Sequence, residues 1–212
     1  MTFAEEATDL ITTVFGPLTS AHGVTDKTLA AAEKRLGIQL PAPLADYYRL
    51  AGKHKQVSDG MNHLRKPPEL ELSGGALIFL EENQGVFSSG VLAADLDQQD
   101  PPVRERNLGE SEWRPAATRL SRYLLVTFCW QACNALHASA STDVSPKQFE
   151  RMKKAMCWAS FDVDPKADTV GLWGDRIGGV LFTDNRELYV ASHSDEELEA
   201  FAEKWGLELS MG

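Results

Sequence analysis

Apolar residues first recur at helical spacing. Phe3, Ala7, Leu10, Ile11 and Val14 fall on one face of a helix. Thr2 and Glu5 form a capping-box pair at its start, and Gly16-Pro17 stops it. A second helix starts near Thr25, buries Leu29, Ala32 and Leu36, and ends on Gly37, which suits a left-handed cap. A third covers about 43–50 and ends at Gly52. Pro41 and Pro43 fit its first turn, where a missing N–H costs little. Residues 53–69 read as a loop, with Pro67-Pro68 near its end.

The period then shortens. Residues 76–80 are an apolar run of strand length, and 85–92 read as a second strand after a short Glu-Asn-Gln turn. A third strand is expected over 103–108. Helical spacing returns over 119–136, with Leu120, Leu124, Phe128 and Ala132 in register. The small, polar stretch 138–142 reads as a loop. Pro146 opens another helix with Phe149, Met152 and Met156 on its apolar side and Trp158 at its far end. Strands are expected at 169–173, 177–183 and 187–192, with Asp184-Asn185-Arg186 as a tight turn. Ser194 and Glu197 form a second capping box, opening a final helix through Leu198, Phe201 and Trp205. Helices and strands come in segregated runs, so the expected class is α+β and not a doubly wound α/β fold.

Charge changes the picture more than bulk composition does. Hydrophobic content is 43% and charged content 25%, ordinary for a globular chain of 212 residues. No internal repeat appears. No run approaches a membrane span. The start, Met1-Thr2-Phe3-Ala4-Glu5-Glu6, is acidic and lacks the apolar core of a signal peptide. Three cysteines, Cys129, Cys133 and Cys157, cannot all pair, which favours a reducing compartment; a cytoplasmic protein is expected. The net charge is −10, which argues against direct nucleic-acid binding, because that needs Lys and Arg to displace phosphate counterions. A basic protein partner fits, since opposite charge speeds encounter. The acid is concentrated. Residues 81–112 hold eight acids against Arg104 and Arg106, and 184–208 hold eight against Arg186 and Lys204. These segments form either one negative face or an ordinary solvated surface.

Catalytic motifs are absent. There is no Gly-x-Ser-x-Gly elbow, no phosphate loop, and no motif that fixes a role for His22, His54, His63, His137 or His193. Gly74-Gly75 and Gly178-Gly179 read as turns or bulges. Glu81-Glu82 on a strand would point apart, which weakens an acid/base reading. Cys129, Cys133 and His137 share a helix face at a spacing that permits metal ligation. The competing reading is a buried thiol pair that acts as small hydrophobes, and the usual paired Cys/His spacings are missing. No metal and no cofactor are expected. Of five tryptophans, most should fill the core, and one or two exposed ones would be binding anchors.

Two ordered signatures remain. The first is Leu36-Gly37-Ile38-Gln39-Leu40-Pro41, followed by Leu44 and Tyr47-Tyr48. The second is Glu82-Asn83-Gln84-Gly85-Val86, with Asp100-Pro101-Pro102-Val103 downstream. Together they resemble the SUKH superfamily, across about 25–136. Residues 1–24 stand as a helical extension, and 137–212 as a C-terminal part or extension of one domain. In the family an aromatic often precedes Gly-Val after the turn; here Ser89 stands before Gly90-Val91.

The resemblance implies a curved, mainly antiparallel sheet with helices packed around it. It implies a binding protein without cofactor, a monomer or weak dimer. Bacterial members are mostly immunity proteins, so the expected partner is a basic, secreted toxin domain, a nuclease or nucleic-acid deaminase. The alternative is a regulatory interaction module, as in fungal relatives. Candidate partner-binding residues are Glu82, Asn83, Gln84, Asp95, Asp97 and Asp100. For the first three, capping of the turn is the competing structural role.

Overall fold

The computed structural model describes residues 1–163, 169–174, 177–182 and 187–211. The chain folds as α+β, with helices packed around antiparallel sheets. Among the described residues there are two such sheets, each of six strands, where a single one was expected.

Three helices open the chain. Helix α1 (Phe3–Phe15) begins on the Thr2–Glu5 capping box and ends at Gly16, whose φ of 94° suits a residue without Cβ. Helix α2 (Asp26–Leu36) is capped by the Thr25 side chain and closes on left-handed Gly37. Helix α3 (Ala42–Ala51) starts after Pro41 and buries Tyr47 and Tyr48. The 53–69 stretch is more ordered than a loop. It holds the short helix α4 (Lys55–Asp59) and the strand β1 (His63–Leu64). Neither is long enough to show a period in sequence.

The first sheet adds β2 (Glu71–Ser73), β3 (Ala76–Glu81), β4 (Phe87–Leu92), β5 (Val103–Asn107) and β6 (Arg114–Ala117). Its order is β1-β3-β4-β5-β6, and β2 shares with β1 the free edge of β3. Gly74 and Gly75, both at positive φ, turn the chain between β2 and β3.

Helix α5 (Leu120–Ala135) is the hub. Every residue from Leu120 to Cys133 except Arg122 and Trp130 is buried, so it is buried nearly all round, where one apolar face was expected. Tyr123 meets Phe79 of β3 edge-on, and Phe128 packs on Tyr47 of α3. Gln131 is fully buried yet satisfied. Its Oε1 accepts from the amides of Met61 and Asn62, and its Nε2 donates to the carbonyls of Val57 and Asn62.

The second sheet follows. It comprises β7 (Ala138–Asp143), β8 (Cys157–Ser160), β9 (Thr169–Gly174), β10 (Ile177–Phe182), β11 (Glu187–Ser192) and β12 (Ser210–Met211), ordered β12-β7-β11-β10-β9-β8. Helix α6 (Pro146–Ala155) precedes β8, and α7 (Asp195–Trp205) precedes β12. Three expectations are corrected here. The 138–142 stretch is a strand, because pairing with β11 and β12 satisfies its backbone while small side chains suffice beneath α7. Trp158 belongs to β8 instead of α6, because α6 ends at Ala155 and the chain pairs with β9 from Cys157. Gly178 and Gly179 lie inside β10, where unbroken pairing with β9 and β11 leaves no turn. The Asp184-Asn185-Arg186 turn lies outside the described residues.

Alternation along the second sheet separates two cores. Ala159, Trp173 and Ala191 join α1, α3, α5 and the first sheet in the larger one. Val170, Leu172, Leu188 and Val190 face Met152 of α6 and Leu198, Phe201 and Trp205 of α7. The layers are therefore first sheet, inner helices, second sheet and outer helices. Residues of α1 sit in the larger core together with the 25–136 region.

Candidate functional site

A cleft of about 380 Å³ opens where the first sheet, α5 and the β8–β9 side of the second sheet meet. Phe87 of β4, Tyr123 and Trp130 of α5, and Phe161 beyond β8 supply its rings. Tyr123 and Phe161 stack, with centroids 5.1 Å apart and planes inclined by 15°. The Gln131 amide fixes Met61 and Asn62 along one wall.

Glu105 of β5 gives the cleft its chemistry. Its Oε1 accepts from Tyr123 Oη at 3.0 Å and from Ser89 Oγ at 3.4 Å, and those two hydroxyls are themselves 2.7 Å apart. Burial raises the Glu105 carboxyl above its ordinary range, although both hydroxyl bonds work to lower it. Burial and the neighbouring Glu105 charge also push the Tyr123 phenol well up, so it stays a neutral donor. Ser89, just before Gly90, adds a buried hydroxyl behind the Glu105 carboxyl.

The sequence-derived candidates separate into three places. Glu82 lines the cleft, and its Oε2 accepts from the amides of Gln84 and Val86, so it caps its own turn. Asn83 and Gln84 are exposed on that turn, with Asn83 Nδ2 against Met61 Sδ. The turn ends in an apolar tip. Val86 is 53% exposed and Leu108 82%, joined by a bond from the Leu108 amide to the Val86 carbonyl. Glu82 and exposed Glu110 flank this pair in sequence.

Asp95 and Asp97 lie on the connection after β4. Asp95 accepts from Gln98 Nε2, and exposed Asp97 faces a separate groove against Ile38, Leu40 and Pro41 of the Leu-Gly/Leu-Pro connection. Asp100 turns inward. Its carboxylate accepts from the Ser121 amide at 2.9 Å and hydroxyl at 2.6 Å, which caps α5. The two acidic segments belong to different layers. Residues 81–112 build the first sheet, whereas Asp195, Glu196 and Glu197 open α7 on the far side of the second.

Glu81 points away from Glu82 and pairs with Arg65 at 2.6 Å, as alternation requires. Cys129 and Cys133 lie between α5 and the second sheet, with Sγ atoms 3.8 and 3.6 Å from the carbonyls of Leu172 and Tyr189. Burial raises the Cys129 thiol, as for a small core hydrophobe. His137 is exposed beyond the end of α5. Trp173 and Trp205 are core residues; Trp158 is 43% exposed, beneath Lys153. Among the described residues no helix is long and apolar enough to cross a membrane.

Sequence reasoning missed Glu105, Ser89 and Phe161 as site residues. The available signal was an acid in alternating register inside a strand whose other neighbours are arginines, Arg104 and Arg106. Compared with known proteins, the chain matches no family model, no curated protein and no solved structure.

Proposed function

We propose that this chain is a stoichiometric binding protein of the immunity kind, docking a basic toxin domain, a nuclease or nucleic-acid deaminase, and covering its substrate surface inside the cell. The observation that carries this reading is the exposed Val86–Leu108 pair at the tip of the β3–β4 turn, next to Glu82 and Phe87 of the cleft lining. Apolar residues so far out of the core resemble the anchor of an interface. The net charge of −10 and the motif resemblance support the same reading. Glu82, Asn83 and Gln84 would contact the partner at this tip, while Asp95 and Asp97, beyond the other end of β4, would make a separate acidic contact.

The test is co-purification with the C-terminal domain of a secreted protein encoded beside this gene, together with growth rescue on co-expression. We expect a complex whose association slows with added salt. Leu108→Arg combined with Val86→Lys should abolish both complex and rescue while leaving the fold intact. A complex indifferent to that double variant would rule out the tip. Neither binding nor rescue would move the reading to a regulatory module.

A further inference from the structure

The cleft has features that the docking tip does not explain. Four aromatic rings converge on it, and no residue that lines it among those described is basic. Among its polar groups is a carboxyl with one oxygen engaged by two hydroxyls. The other oxygen, Oε2, has no hydrogen-bond partner among the described residues. Structural duty alone does not require a carboxyl there, since a neutral amide would accept the same two bonds without the cost of burying charge. Glu82, the second acid of the lining, is held by its own turn amides at the edge of the cleft.

We infer that the cleft binds an organic cation on a short apolar stem, the group that an arginine or lysine side chain presents, with Glu105 as its counter-ion and the rings of Phe87, Tyr123, Trp130 and Phe161 as its walls. Aromatic faces attract cations, and more strongly once water is excluded, while the apolar stem buries against Val126 and the rings. A buried carboxylate against a cation is stronger than the same pair in water. A bound cation would favour the ionised carboxylate that burial disfavours. The cation could arrive on a protein surface or as a free small amine; the chemistry is shared.

The experiment uses the full chain alone, so it is independent of whether a toxin partner exists. N-acetyl-arginine amide and its neutral counterpart N-acetyl-norleucine amide are titrated while amide and indole resonances are followed by NMR. We expect saturable shifts at the Trp130 indole and at Phe87 and Phe161 with the cationic probe alone. Glu105→Gln should weaken binding by roughly tenfold or more, with resonances away from the cleft unchanged. Saturation only at millimolar probe would assign the cation to a macromolecular surface, and micromolar saturation to a free small molecule; either supports the site. An equal response to the neutral probe, an undiminished response in Glu105→Gln, or no shift at all would overturn it. Trp130→Leu gives a second check, since removing one wall should weaken the cationic probe selectively.

Discussion

Asp100 holds the start of α5 through both the amide and the hydroxyl of Ser121, a place that local caps hold in α1 and α2. The residue in the cap position, Arg119, makes no such bond. Asp100→Ala should therefore cost about 1–2 kcal/mol in denaturant unfolding, the range of a lost cap that also faces a helix N-terminus. This also shapes the functional test. Neutralising Asp100 weakens the fold, so Asp95→Asn with Asp97→Asn is the cleaner probe of an acidic contact on the connection after β4. His54 offers a second prediction. Its ring lies 4.6 Å from that of His22, and its buried Nδ1 has no hydrogen-bond partner among the described residues. Burial first, and His22 second, hold its pKa below the ordinary 6.5. The unfolded chain thus takes up a proton before the folded one does. The contribution is intact above about pH 6.5 and is lost as pH falls through the lower folded value. Thermal melts from pH 8 to about 5 should show this loss, and His54→Phe should flatten it. Little of the cleft was legible because its parts are remote in sequence. Glu82 came from a motif, but Ser89, Glu105, Trp130 and Phe161 converge only once α5 is seated.

Helix α5 rests on β9 at Gly171, where a Cβ would lie 2.9 Å from Cys129 Sγ and 3.2 Å from the Val126 Cα. Backbone on one side and a packed sulfur on the other leave no room to give. Gly171→Ala should lower stability by about 1–3 kcal/mol in urea titration, the cost of overpacking. Gln131→Leu strips partners from the Met61 and Asn62 amides and should cost at least about 2 kcal/mol by the same measurement, while also loosening one wall of the cleft. Element by element, legibility followed local signals. The Thr2–Glu5 box, Thr25 and Gly37 bounded α1 and α2 within a residue, because caps are chemistry written in adjacent positions. Strands β3, β4 and β9 were apolar enough to announce themselves. Strand β7 was not, since Ala-Ser-Ala-Ser-Thr has no strand propensity of its own and becomes one by pairing. Strand β8 was masked by an apolar pattern that seemed to continue α6. The all-round burial of α5 was also hidden, because Ser121 and Gln131 find their partners in distant segments, and Thr127 turns its hydroxyl back onto the Tyr123 carbonyl.

Across the whole molecule the two cores are unequal. The larger runs from α1 through α5 and both sheets, while the smaller holds α6 and α7 to the outer face of the second sheet. Regions with fewer buried contacts open at lower free energy. Hydrogen exchange should therefore find amides of α5 the slowest to exchange and those of α6 and α7 markedly faster. Uniform protection across all three would mean that the layers unfold as one. The class was within reach of the sequence, but the number of sheets and hence the layering were not, because nothing in a strand's pattern says which sheet it will join. The position of α5 has one more consequence. It follows the first sheet in the chain, yet its Cys129 and Cys133 side is roofed entirely by strands made later. A polypeptide severed near residue 137 would yield one piece ending in a naked greasy helix and another whose sheet has lost the object it wraps. Each fragment would be the other's missing interior, and co-expressed pieces should find one another and restore the fold, as split reporter proteins do.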